Sequence, residues 1–203
     1  VMQGMSTTIT VSGLVVLFSG SIGILLGAIT GYFGGILDEI VMRITDAVNG
    51  FPSILLTLVI ISLLGTGKQN IIIALGIVFI PSYVRIVRAE FIRLRDADYI
   101  RRARLMGVKQ GRILFVHILP NIFSVFLVSV MIGFNNAILA ESSMSFLGFG
   151  IQPPRPSWGS MLAEAQPYIF QAPGLALFPG LAIVLTVFAI FLLARSGQQL
   201  LEE

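Results

Sequence analysis

The sequence predicts an all-α, polytopic membrane protein with five membrane-spanning helices in this chain, and three observations carry that prediction. Hydrophobic residues make up 56% of the 203 and charged residues only 11%, against about 25% in an ordinary soluble domain, so too few charges remain to clothe a water-facing surface. Apolar stretches of spanning length recur along the whole chain; a hydrocarbon core of ~30 Å needs about 20 helical residues at ~1.5 Å rise each. Nine of the thirteen basic residues fall between Arg85 and Arg112, which gives the molecule one strongly cationic region. No low-complexity tract or flexible linker appears, so residues 1–203 read as a single membrane domain.

The first span runs from about Thr8 to Tyr32. Gly20, Gly23, Gly27 and Gly31 recur in it at spacings of three and four, which lines small residues along one face and lets another helix approach closely; the plainer reading is that glycine is simply frequent in membrane helices. The second begins in the polar stretch Leu37 to Asn49 and continues through Ile54 to Leu64, with Phe51-Pro52 at the join. Proline has no N–H and clashes with the preceding turn, so a new helix starts there or a continuous one kinks. Glu39 with Arg43, and Arg43 with Asp46, stand at helix-neighbour spacings that suit a solvated surface helix. After the Gly65-Thr66-Gly67-Lys68 turn, the third span covers Ile71 to about Val87 with Pro81 inside it. The fourth covers about Leu119 to Phe149 and the fifth about Leu175 to Ala194. Between those two lies a loop, residues 150–174, that holds five prolines and the only Trp.

Loops rich in Lys and Arg stay on the cytoplasmic side. Arg85 to Arg112 sets nine basic residues against Glu90, Asp96 and Asp98, so that region is expected inside, and alternation through five spans puts the C-terminus inside and the 150–174 loop outside. Val1 then lies outside. It is not an initiator Met, and Val1 to Thr7 lacks the features of a signal peptide, so a further span is expected before Val1.

Several chemistries are disfavoured. Cysteine is absent and His117 is the single histidine, so no multi-His or thiolate metal site is expected, and His117 reads as structural. Gly67-Lys68 lacks the upstream Gly and the following Ser or Thr of a phosphate-cradling loop, so any nucleotide energy comes from a partner. No Ser/His/Asp or paired-carboxylate arrangement emerges, and no catalytic residue is assigned. Glu141 is the sharpest intramembrane candidate: it lies 22 residues beyond Leu119, about 33 Å along a straight helix, near the outer interface. There it can hydrate or cap a neighbouring helix; alternatively Asn135, Asn136, Glu141, Ser142 and Ser143 form a polar path or outer gate.

The segment 96–112 is too polar to cross a membrane and too helix-prone for a plain loop. Tyr99, Ala103 and Met106 recur at i, i+4, i+7, with Arg101, Arg102 and Arg104 displaced from that face. Asp96 or Asp98 is placed to cap this short amphipathic helix and Gly107 to end it in a left-handed conformation. It is suited either to lipid headgroups or to a groove on a partner.

This stretch resembles the EAA loop of binding-protein-dependent ABC permeases: Glu-Ala-Ala, three residues, Gly, nine residues, then Ile-x-Leu-Pro. Arg101, Arg102 and Ala103 take the first three places, Gly107 the glycine, and His117-Ile118-Leu119-Pro120 the terminal group. The two arginines reverse a charge of the motif, while Ala103 and Gly107, which set close approach, are kept. Gly31-Tyr-Phe-Gly-Gly35, Asp38 with Met42-Arg43 and Asp46, Phe51-Pro52, Ser145-Phe-Leu-Gly-Phe-Gly150 and Gln152-Pro-Pro-Arg-Pro-Ser-Trp-Gly159 resemble the dipeptide, oligopeptide and nickel branch.

The resemblance implies a MetI-like ABC permease fold of six spans, the first missing here. It also implies an inner-membrane, non-catalytic subunit that forms a path for di- or oligopeptides with a second, homologous permease subunit, as a heterodimer. Tyr99, Arg101, Arg102, Ala103, Met106 and Gly107 are then the residues that couple to an ATPase subunit. Two ATP-binding subunits, which hold ATP and Mg²⁺, and an extracytoplasmic substrate-binding protein complete the expected complex; this chain binds no cofactor and no nucleic acid, and lipid surrounds it. The prolines of the outer loop fix an irregular path and Trp158 is either an interface anchor or, with Pro153 and Pro154, a contact for the binding protein. The rival readings are a nickel or nickel-chelate permease of the same family, an ion-coupled secondary transporter or channel, and a membrane scaffold. A secondary transporter is expected to hold charges near the bilayer midplane, whereas here they cluster at span ends.

Overall fold

A computed structural model describes residues 1–202, with side chains to Gly197, and every regular element among them is helical. The bundle is centred on α1 (Met2–Phe33), α4 (Lys68–Arg95) and α7 (Leu119–Phe146), with α9 (Gly174–Glu202) packed on the flank of α7. Four continuous helical stretches are long and apolar enough to cross a membrane: α1, α4, Gln110–Phe146 and α9.

The second predicted span is a broken one. α2 (Gly35–Asn49) and α3 (Ser53–Leu64) meet at 93°, with Phe51-Pro52 between them. The twelve residues of α3 reach about 18 Å, short of a full hydrocarbon core. α2 carries charge on the side turned to α4. The Arg88 guanidinium donates twice to the Asp38 carboxylate (2.5 and 2.7 Å), and Arg85 donates to Asp46 (2.6 Å). Glu39 and Arg43 pair as the spacing predicts, at 3.6 Å on the exposed surface, but Asp46 is taken by Arg85 instead of Arg43, because a partner on another helix also ties the two elements together.

The glycine stripe of α1 explains the tightest contact in the molecule. A methyl group added at Gly23 would collide with Tyr83; at Gly27 it would come within 2.7 Å of the Val87 Cβ, and at Gly31 within 2.6 Å of the Phe91 Cβ. Successive glycines therefore face successive residues of α4 four apart, in ascending order, so the two helices run parallel and nearly backbone to backbone. Gly20 lies off this stripe, against Phe126 of α7. Parallel packing of α1 and α4 requires the α2–α3 pair to carry the chain back to the end where α1 began. The polypeptide thus satisfies alternation with a bent return segment rather than a straight rod.

α4 continues through the buried Pro81 without ending. Pro120 has a different consequence. The short α6 (Gln110–Arg112) runs through one widened, π-helical turn (Ile113–Ile118) into α7, an adjustment that accommodates a missing N–H at the start of a long helix.

Candidate functional site

Two opposite ends of the bundle hold the residues singled out from the sequence. At one end α5 (Asp98–Leu105) projects between α4 and the start of α6. Its C-terminus closes as expected: Gly107 adopts φ 77°, and the Val108 N–H donates back to the Ala103 carbonyl (3.1 Å), the six-to-one bond of a glycine-terminated helix. Neither predicted carboxylate caps the start. Ala97 is the N-cap, Asp96 closes α4, and Asp98 sits in the first turn, where its charge complements the helix dipole without a capping bond.

The buried face of α5 is Ile100 with Ala103, not Tyr99 with Ala103 and Met106. The helix ends at Leu105, so the i+7 extrapolation to Met106 runs past its last turn. Ile100 joins a cluster formed by Ala28, Tyr32, Val87, Phe91, Ile113 and Ile118. That apolar socket holds the helix to its own bundle. Arg104 lies over the Tyr32 ring, 5.5 Å from its centroid, and Arg95 reaches the Gly31 and Tyr32 carbonyls (3.4 Å each) at the C-terminus of α1. Outward, Leu105 is 89% and Met106 77% exposed, flanked by the exposed Arg101 and Arg102. The end of α5 is thus a rigidly based apolar tip set in a cationic collar. Leu105 escaped the sequence reading because it lies off the periodic face; its apolar character within an otherwise charged run was the available signal.

Arg88, Arg95 and Asp38 stiffen the same end. Arg88, by donating to Asp38, holds that carboxyl below the usual value of 3.8 against the opposing effect of burial, and the charges of Arg88 and Arg95 add to the effect.

At the other end Glu141 is fully buried. Ser145 donates to it (2.7 Å) and accepts from the Ile151 N–H (3.1 Å), so the carboxylate anchors the start of the 150–174 loop. The hydroxyls of Thr8, Ser142 and Ser157 lie near the carboxyl group, whose second oxygen makes no hydrogen bond of ordinary geometry. Thr8 accepts from the Trp158 N–H (3.2 Å). Trp158, the first residue of α8 (Trp158–Ala165), is 1% exposed and its indole donates to the Val1 carbonyl (3.2 Å), so the side chain expected as an interface anchor or partner contact is turned inward, where its ring packs beside Gly4 of α1 and joins Ile138 of α7 and Ile183 of α9. Ser157 caps α8 in a reciprocal arrangement with Ser160. Pro153 and Pro154 stay exposed.

The five polar residues proposed for a path therefore separate. Asn135, Glu141 and Ser142 are buried inside the subunit, and Asn135 donates to the Val187 carbonyl of α9 (3.2 Å). Asn136 is exposed on another face of α7, while Ser143 is half-buried beside Ser142 in a cleft lined also by Leu162 and Ile183. Asn136 lines a cleft between α4 and α7 with Phe79, Ser82, Ile86, Ser129 and Ile132. Ser82 and Ser129 were passed over in the sequence, though Ser129 and Asn136 stand at i, i+7 within an apolar span.

The sequence matches the family described as "Binding-protein-dependent transport system inner membrane component" over residues 23–203. The chain belongs to that family. Among curated proteins this family member is 44% identical over 165 residues to the dipeptide transport system permease protein DppC of Alkalihalophilus pseudofirmus, covering 81% of this chain and 54% of that protein. It is 43% identical over 178 residues to the glutathione transport system permease protein GsiD of Pectobacterium atrosepticum, covering 88% of this chain and 59% of that one. A putative peptide transport system permease protein of Brucella suis is 38% identical over 202 residues, 100% of this chain and 68% of its own length. The chain thus spans little more than half the length of the first of these relatives. Among solved structures, an inward-facing MetNI methionine ABC transporter chain superposes with a TM-score of 0.80 at 18% identity, over 99% of this chain and 94% of that one. That likeness establishes a shared all-helical fold.

Proposed function

We propose that this chain is the membrane-spanning, non-catalytic permease subunit of an ATP-driven peptide importer. α5 faces the cytoplasm, in keeping with the basic residues around it, and so does the C-terminus. The single observation that carries the reading is the tip of α5: an apolar knob, Leu105 and Met106, exposed to water yet rooted in the core through Ile100 and Ala103. Exposed apolar groups on a rigid base mark a contact with another protein. The partner here is an ATPase subunit, one per permease, and it holds the ATP and Mg²⁺. Arg101, Arg102, Tyr99 and the Gly107 turn surround the contact.

A second, homologous permease subunit packs on the α4–α7 face, so that cargo moves along Ser82, Ser129 and Asn136 between the two subunits. Polar side chains exposed at membrane depth need a partner or a water-filled path. An extracytoplasmic binding protein supplies the cargo. Closure of the ATPase pair moves α5, and the bundle yields at Pro52, Pro81 and Pro120, where a backbone N–H is missing. Dipeptide and glutathione permeases among the relatives favour peptide cargo over nickel.

The test is reconstitution of the complete complex in liposomes with its ATPase and binding protein, followed by uptake of dipeptides, longer peptides and nickel. ATP-dependent uptake of peptides alone is expected. Uptake without ATPase subunits, or of nickel alone, overturns the proposal.

A further inference from the structure

We propose that the end opposite α5 carries an anion pocket that receives a carboxylate from the substrate-delivering protein, with Lys68 and Arg155 as its cationic walls. The inference rests on the importer reading and names the contact by which the delivering partner is held. Among the described residues that end of the bundle has two cations, one at the first position of α4 and the other in the 150–174 loop. Folding brings both to one cleft of about 400 Å³, lined also by Gln3, Ser6 and Thr10 of α1 and by Pro154.

Their lack of partners is the second observation. Neither Lys68 nor Arg155 lies within ion-pair distance of a carboxylate among the described residues, as is also true of Arg101, Arg102, Arg104, Lys109 and Arg112 at the basic end; what sets Lys68 and Arg155 apart is that one polar cleft holds both. Two like charges held beside one polar cleft repel each other unless an anion lies between them. The neutral donors fit the same guest: the Gln3 amide and the Ser6 hydroxyl are exposed on the α1 wall, so a carboxylate there meets cations on two sides and hydrogen-bond donors on a third.

The occupant follows from where the pocket lies. It shares no lining residue with the uncharged α4–α7 cleft, so it is apart from the proposed cargo path. Its rim is Pro154, next to the exposed Pro153, in a loop held rigidly from beneath by Trp158 and Glu141. A fixed, solvent-facing, cationic rim suits an acidic side chain of a docking protein, steering its approach.

The experiment compares the wild-type complex with Lys68→Gln/Arg155→Gln in liposomes, titrating the binding protein and reading its stimulation of ATP hydrolysis from low to moderate salt. The concentration for half-maximal stimulation should rise about tenfold at low salt and lose most of its salt dependence, while assembly and unstimulated hydrolysis stay unchanged. The exchange Lys68→Arg/Arg155→Lys should restore near wild-type behaviour. An unchanged half-maximal concentration and salt dependence in the Gln variant overturns the pocket's role. A defect seen with free-carboxylate peptides and absent with amidated ones overturns the partner assignment, because the pocket then reads cargo. Failure of the wild-type complex to respond to any binding protein instead overturns the importer reading itself, and this inference with it.

Discussion

The two ends of this bundle are built on opposite principles. At the α5 end, a short helix is rooted by two apolar side chains and one cation–π contact, and its tip is left bare in water. At the other end, an irregular 150–174 loop rich in proline is drawn into the core. Its Trp158 is buried, its Ile151 N–H is tied through Ser145 to Glu141, and Gly159 fits so tightly against Ser142 that no side chain has room. The difference teaches that irregular backbone at the rim is made rigid by spending polar bonds and ring packing on it, whereas the regular helix needs little support to keep its shape and leaves its tip free for a contact.

The largest effect should come from loosening the rigid end. Trp158→Ala empties the space between α1, α7 and α9 and should destabilise the fold by about 3–5 kcal/mol, read as a lower Tm in detergent. A shift within error would mean the loop is not held by its ring.

Next, Gly27→Ala tests the frame that both ends share. A methyl group 2.8 Å from the Val84 carbonyl forces α1 and α4 apart, and the expected cost is about 1–3 kcal/mol. The same exchange at Gly111, whose neighbourhood is open and whose backbone is helical, should leave α1–α4 packing intact, so a disulfide engineered between those helices should form in one variant and not the other.

Smaller again is the ion pair at the basic end. Asp38 has a folded pKa held below 3.8, chiefly by the hydrogen bonds from Arg88, so its contribution is fully present above that value. It is lost as pH falls through the lower, folded value. Asp38→Asn should therefore cost on the order of 1 kcal/mol at pH 7 and flatten the acid limb of a stability profile below about pH 4, with the same cost and no change of slope across pH 5 to 8. A variant whose profile stays steep below pH 4 would assign that limb to other carboxylates.

Much of this was legible in the chain. Helix identity and approximate span limits followed from hydropathy, because the bilayer imposes its own length on apolar segments. Gly23, Gly27 and Gly31 announced a close contact, and Gly107 a helix stop, because only glycine fits those backbones. What stayed hidden depends on three-dimensional pairing. The sequence put Asp46 beside Arg43, but Arg85, far along the chain, competes better. The fate of Trp158 could not be read either, since burial at a loop depends on what α1 and α7 offer beneath it. The separation of Asn136 from Asn135 and Glu141 reflects which side of α7 meets α1 and α9, and helical periodicity shows the faces without saying which one is covered.

The exposed tip of α5 is the claim on which the transport account turns. Leu105→Asp with Met106→Asp, made in the reconstituted complex, should leave Tm unchanged, because both side chains already lie in water, and should reduce ATP-driven peptide uptake at least tenfold with loss of ATPase co-purification. Full uptake and full retention of the ATPase in that double variant would contradict it.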